Sequence, residues 1–287
     1  MATKEQQFKR KIDQLIKQAD KLEDQAVKRA VGILANARKE VAAAVASTDW
    51  QVYYLPQLKS AIDRALNEFG RKYGVELQDV QRSFWEQGID RVDLPLREVG
   101  IIQAIPEIDM TMLSVLQDFS ADLVTGLTQD AIKKINQELT LGLTGGKQPY
   151  EVMQAIGRNL KDKSVFKSIA ARAETITRTE AGRVLEAAGQ ARKEHAARVV
   201  PGLKKQWYYG HSPKVPRLSH LAAAQAYGPG GDPGPIPVDQ PFIVQGEELM
   251  YPRDPAGSAG NTINCGCTSI PYHEDWEAAT EKQSVAA

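Results

Sequence analysis

The chain has 287 residues, 42% of them hydrophobic and 25% charged, enough apolar material for one or two folded cores and too much for wholesale disorder. Lysine plus arginine balance aspartate plus glutamate at 36 each, so no global charge surplus draws the chain to nucleic acid or to an anionic membrane. The longest apolar runs, such as 41–46, fall far short of the roughly 20 residues that span a bilayer. Two cysteines one residue apart, Cys265 and Cys267, do not make a secreted disulfide framework, and with no signal-peptide core at its start the chain is expected in a reducing cytoplasm.

Residues 3–47 contain no proline and no turn cluster. Phe8, Ile12, Leu15, Ala19, Leu22 and Ala26 step by four and three, the spacing of one apolar stripe on a long helix whose other face leans basic. At 1.5 Å per residue such a helix extends roughly 65 Å, longer than a small domain is wide, so its stripe needs covering. Three covers are open: the chain's own later helices, a partner protein docking there, or nucleic acid on the basic side.

After the aromatic patch Trp50, Tyr53 and Tyr54, helical segments are expected at about 57–73, 77–88, 111–124, 129–142 and 149–160. Pro56 opens the first, Thr128 suits an N-cap for the fourth, glycines between 142 and 146 stop it, and Pro149 suits the first turn of the fifth. Phe84, Trp85 and Phe119 read as core anchors. A further helix from Ser168 to about Arg198 buries Ile169, Ala173, Ile176, Val184, Ala188 and Ala191. Glu180 falls on that stripe, four residues from Ile176 and from Val184. A carboxylate there is a solvated rim residue, half of a buried pair, or a catalytic group.

Ten of the fifteen prolines lie beyond Gly210, and the pattern changes to short strands at 204–209, at 242–251 as a hairpin turning near Gly246 and Glu247, and at 262–272. Between the first two lie a long excursion over 211–220 and a Gly/Pro tract at 228–237. His211, Arg217, His220, Asp254, Asn264, Cys265 and Cys267 gather in this part. Zinc could use Cys265, Cys267 and His220 with His211 or Asp254 as a fourth ligand. A Cys-x-Cys spacing is tighter than structural zinc sites favour, so reduced, buried cysteines and no cofactor are the expectation, ahead of a redox pair or a Cys-His nucleophile.

The segments 123–130, 143–150 and 176–181, with Arg178 and Glu180 in the last, resemble the helical lead-in of phage minor head proteins of the Mu F type. Trp207, Arg217-Leu218-Ser219-His220, Pro241-Phe242, residues 251–255 with Asp254, and Asn264-Cys265-Gly266-Cys267 then follow in that family's order. The resemblance covers about 120–272. Two positions depart from the family pattern: Gly210-His211-Ser212-Pro213 replaces an aspartate after the tryptophan, and Gly266 replaces an arginine.

The resemblance implies a non-enzymatic virion protein, a minor capsid component needed for head morphogenesis in a tailed phage. It would be bound to the portal or head interior, with the portal, major capsid or scaffold protein as partner, packaged DNA as a further contact and ejection with DNA as a further step. The competing classes are an enzyme acting through the His/Arg/Cys cluster, for which the short tail after His273 leaves no appended effector domain, and a zinc-stabilised DNA-binding protein. The expected architecture is mainly α: a long amphipathic helix at 1–47, a helical body at 48–162, a small α+β module with a short antiparallel sheet at 163–273, and a tail at 274–287. A fragment from near Lys163 is expected to hold the compact module. Within it Arg178, Glu180, Trp207, Arg217, His220, Asp254, Asn264, Cys265 and Cys267 are expected to form a structural polar cluster, Glu180 pairing with Arg217.

Overall fold

A computed structural model describes residues 3–100, 105–157, 164–210 and 217–274. Its elements are α1 (Lys4–Ser47), a short 3-10 turn (Val52–Tyr54), α2 (Leu55–Glu98), α3 (Thr111–Thr144), α4 (Pro149–Ile156), α5 (Val165–Ala197), β1 (Lys204–Tyr208), α6 (Leu218–Ala226), β2 (Ile236–Pro237), β3 (Phe242–Val244), β4 (Glu247–Leu249), α7 (Ala259–Thr262) and β5 (Thr268–Tyr272). The protein is mainly α, with long N-terminal helices and a small C-terminal module of short antiparallel sheets. No helix among the described residues is long and apolar enough to cross a membrane.

The helices are longer than the periodicity suggests. The expected break between 73 and 77 does not occur, because Gly74 keeps helical geometry inside α2. The break expected before Gln129 is absent too. Thr128 is not an N-cap: its hydroxyl donates back to the Val124 carbonyl at 2.8 Å inside α3, and its side chain occupies the space over Gly70 that a Cβ would need. Gly142 lies within α3 against Val152, and the helix stops at Gly145 and Gly146, where φ reaches +68°. Pro149 does sit in the first turn of α4, whose start is tied by the Gln148 N–H donating to the Glu151 carboxylate at 2.8 Å. The far end of the helix expected at 149–160 falls outside the described residues.

Two compact units result, each built from separate stretches of chain: Met1–Leu22, Gln81–Ser114 and Thr179–Ala287 in the first, Glu23–Val80 and Val115–Arg178 in the second. Helices α1, α2 and α5 each contribute to both. The second unit closes over Leu34, Val41, Leu66, Phe69, Ile135 and Phe166 and their neighbours. The buried Tyr73 hydroxyl bonds the Ala173 carbonyl at 2.8 Å and the Thr177 hydroxyl at 3.0 Å.

The first unit packs Phe8, Ile12 and Ile16 of α1 against Val92 and Leu96 of α2, Ala196 of α5, and Ile270 and Tyr272 of β5. The stripe on α1 is therefore covered by the chain itself, with Leu22 half-buried and the other five named positions buried. Phe84 and Trp85 are core residues as expected. Phe119 is not; it is 48% exposed on α3.

In the C-terminal module β1 pairs antiparallel with β2 on one side and β5 on the other, while β3 and β4 form a separate hairpin. The hairpin turns at Gln245 and Gly246, both at positive φ, the backbone a two-residue turn of this hand demands. The strand expected at 262–272 begins only at Thr268, because 259–262 coil into α7. The excursion over 211–220 ends in α6, a helix that proline-rich surroundings had concealed.

Candidate functional site

Strand β1 carries Trp207 into the module, and each neighbouring aromatic meets it edge-on. The Phe242 ring lies 5.3 Å and the His220 ring 5.5 Å from it, and Tyr227 meets Phe242 at 5.0 Å. His220, on the first turn of α6, is 2% exposed. The loop between α7 and β5 swings back through Asn264 at φ +52°, a conformation asparagine tolerates, and so turns both thiols of the Cys-x-Cys inward. Both sulfurs stand 3.4 Å from one atom, the Nδ1 of His220. The other ring nitrogen, Nε2, is 3.2 Å from the carboxamide oxygen of Asn261, a fully buried residue of α7. The three donors Cys265, Cys267 and His220 all lie within 4.8 Å of one another, the only such group of histidine, cysteine and acidic side chains among the described residues.

The electrostatics of the two thiols diverge. Cys265 is held well below the usual thiol range, chiefly by the hydrogen bond from Cys267, with help from His220 and the Arg253 guanidinium against the opposing effect of burial. Cys267 is pushed up, first by that same bond and then by burial. The Trp207 indole N–H is buried with no partner at hydrogen-bonding geometry, yet its dipole still favours charge on Cys267. The backbone N–H of Cys267 donates to the Cys265 sulfur at 3.4 Å. The hydroxyl oxygen of Tyr209, also buried without a partner, is raised in pKa by burial and by the nearness of both sulfurs.

Not every residue expected in one cluster belongs to it. Glu180 is buried, at 2% exposure, which removes the solvated-rim alternative. Its partner is not Arg217 but Arg183, one turn along α5, whose Nη1 reaches its two oxygens at 2.8 and 2.6 Å. Arg217 instead donates to the Ile263 carbonyl at 2.6 Å, fixing the start of α6 to the loop that bears the cysteines. Arg178 lies with the second unit's residues, in ion pairs with Glu23, Asp24 and Glu174. The Asp254 carboxylate is spent on the loop between β4 and α7, accepting from the Met250 and Ala256 N–H groups. The Asn264 side chain is exposed and its contribution is the backbone, which donates to the Thr179 hydroxyl at 3.3 Å. His211 falls outside the described residues.

Residues outside the expected cluster complete the surroundings. Arg253, itself at φ +68°, lays its guanidinium against Gly182, where a Cβ would sit 1.1 Å from Nη1, and its carbonyl faces the Arg183 Nε at 3.4 Å. Glu186 accepts from Arg91 at 3.0 Å, from the Thr268 hydroxyl at 2.6 Å and from the Ser269 N–H at 2.8 Å, joining α2, α5 and β5. Lys193 and Lys205 are wholly buried. Lys193 bonds the Ser269 carbonyl and hydroxyl, and Lys205 bonds the Met250 carbonyl.

No family model matches the chain, and no solved structure does. A protein of Bacillus subtilis (strain 168) named "Uncharacterized protein YqbB" is 28% identical over 204 residues, covering 68% of this chain. The chain spans about 60% of the length of that relative.

Proposed function

We propose that the chain is a minor head protein of a tailed phage, of the Mu F type, acting as a structural component of head assembly at the portal or head interior. The observation that carries this reading is the meeting of the family-like landmarks. Trp207, His220, Phe242, Cys265 and Cys267 follow one another along the chain in the family's order, and their side chains contact one another in one buried cluster. Residues that must pack together to make a module explain an ordered pattern better than scattered chance matches do.

A non-enzymatic role is supported by how the polar groups are used. Glu180 is neutralised by Arg183, Asp254 holds a loop, and both nitrogens of His220 face partners. A general acid or base needs a free site toward a substrate, which these arrangements do not offer. The portal, shell or scaffold is the partner class that follows from the role.

Purified heads from cells producing the phage, analysed with and without portal protein, test the reading. The chain is expected in complete heads and depleted from heads that lack portal or are assembled without it. Its absence from DNA-filled heads would overturn the assignment.

A further inference from the structure

We infer that Cys265, Cys267 and His220 form a zinc site that staples α6 to the loop leading into β5. This inference is independent of the head-protein reading.

The geometry carries it. Zinc binds thiolate sulfur at about 2.3 Å and imidazole nitrogen at about 2.0–2.1 Å, and at a tetrahedral angle those bonds set sulfur and nitrogen about 3.6 Å apart. Here each sulfur is 3.4 Å from the same Nδ1. A single Nδ1 has one lone pair and can accept one S–H, so with the Cys267 thiol turned to the Cys265 sulfur hydrogen bonding accounts for only one of the two 3.4 Å approaches to that nitrogen. One cation bound to all three donors satisfies the arrangement at once.

The surroundings fit a metal ligand rather than a packed histidine. Asn261 accepts from Nε2–H, which keeps the proton there and leaves the lone pair of Nδ1, on the side of the two sulfurs, free to bind a metal. Zinc-bound histidines are oriented in this way by a partner on the ring's far side. The amide of Cys267 donates to the Cys265 sulfur at 3.4 Å, a backbone bond that suits a thiolate. Two soft thiolates and an imidazole in a buried pocket select zinc over calcium or magnesium, which prefer oxygen. The fourth position falls to water.

The short Cys-x-Cys spacing, which weighs against zinc when four ligands come from two such pairs, matters less here. The third ligand arrives from α6, more than forty residues away in sequence, and the left-handed turn at Asn264 lets both sulfurs face one point.

The full chain, purified without chelator, should carry about one zinc per molecule by elemental analysis. Replacing it with cobalt should give thiolate-to-cobalt charge-transfer absorption and the visible bands of a tetrahedral ion. Both thiols should resist alkylation until a chelator is added. Cys265→Ser and His220→Gln should abolish stoichiometric binding, and because either could unfold the module, Asn261→Ala supplies a second arm. That variant keeps all three ligands and should bind zinc about 10–100-fold more weakly. Folded wild-type protein with well under one zinc per chain after incubation with the metal, or a cobalt spectrum without thiolate charge transfer, overturns the inference. So does a metal content unchanged in Cys265→Ser, or an Asn261→Ala affinity equal to wild type.

Discussion

Glu180 and Arg183, three residues apart on α5, bind through both carboxylate oxygens at 2.8 and 2.6 Å, with neither side chain more than 9% exposed. The pair lets a carboxylate sit on the apolar face between Ile176 and Val184, and it is made within one helix rather than across to the long loop. Removing one member of a buried pair strands the other charge and typically costs about 3–5 kcal/mol. Glu180→Gln and Arg183→Met should therefore each lower the unfolding temperature strongly, while the double variant recovers part of the summed loss. Arg217→Met forfeits one bond to the Ile263 carbonyl and should lose only about 1 kcal/mol. If thermal unfolding ranked Arg217 above Arg183, the pairing described here would be wrong.

Stability should rise with pH across the neutral to alkaline range because of Lys193. Complete burial, with the nearby positive charges of Lys205 and Arg91 adding to it and Glu186 and Glu194 opposing, pushes its ammonium down to about 7 from an ordinary 10.5. Below about pH 7 folded and unfolded chains both carry the proton, and the folded state bears the burial penalty in full. Between about 7 and 10.5 the unfolded chain holds one more proton, so raising the pH favours folding, by up to about 1.4 kcal/mol per unit. The neutral amine still has two N–H groups for the two Ser269 oxygens it contacts. Denaturant unfolding at pH 7 and pH 9 should show this gain in the wild type and a clearly smaller one in Lys193→Met. Lys205, lowered to about 8 mainly by burial, acts in the same direction and keeps the residual slope positive. Equal slopes in the two proteins would mean that Lys193 is not buried as described.

The sequence pattern conveyed the helical character, the strands at 204 and 242, the burial of Glu180 and the gathering of His220 with the cysteines. It did not single out Arg183 as partner, although a spacing of three on a helix is a local signal, because the same helix offers several arginines and only burial of both side chains distinguishes this one. The unbroken α2 and α3 were illegible for a different reason. Gly74 and Thr128 are weak helix formers, and only the packing of Tyr73 on Ala173 and of Thr128 on Gly70 overrides that local preference. Nor can periodicity reveal that one helix divides its residues between two cores. Asn261 carries no sequence signal at all; its part emerges only in three dimensions, from the ring nitrogen it faces and the Val244 carbonyl to which it donates.

A fragment of residues 163–273 expressed alone should not fold to the native module, even though the proline distribution and the landmark order suggest such a piece. The core beneath β5 takes Phe8, Ile12 and Ile16 from α1, Val92 and Leu96 from α2 and Val99 just past its end, and Glu186 would lose Arg91. Without them Val200, Leu203, Val238, Ile270 and Tyr272 lose their cover, and each forfeits on the order of 1.5–3 kcal/mol if fully exposed, a sum comparable to a domain's whole net stability. The fragment should bind hydrophobic dyes, show little near-ultraviolet dichroism and precipitate, whereas the full chain unfolds cooperatively. A fragment with dispersed NMR resonances would show that the N-terminal helices are dispensable to that core.

Two glycines of α2 should respond in opposite directions to the same substitution, and the contrast measures how closely α2 and α5 approach. A Cβ at Gly88 would stand 2.3 Å from the Leu185 carbonyl oxygen and 2.7 Å from the Ala188 Cβ, and Gly189 faces Gly88 in turn. Backbone cannot step aside as a flexible side chain can. Gly88→Ala must push α5 off α2 and disturb the approach that brings Arg91 to Glu186, a loss of about 1–3 kcal/mol that exceeds the helix-propensity gain of about 1. Gly74 has nothing within 4 Å of its missing Cβ, and there Gly74→Ala keeps the propensity gain and should stabilise the protein by about 0.5–1 kcal/mol. Chemical denaturation of the two variants beside the wild type is sufficient. A neutral or stabilising Gly88→Ala would mean that the two helices lie further apart than this close contact requires, and the route from α2 through Glu186 to β5 would then have to be redrawn.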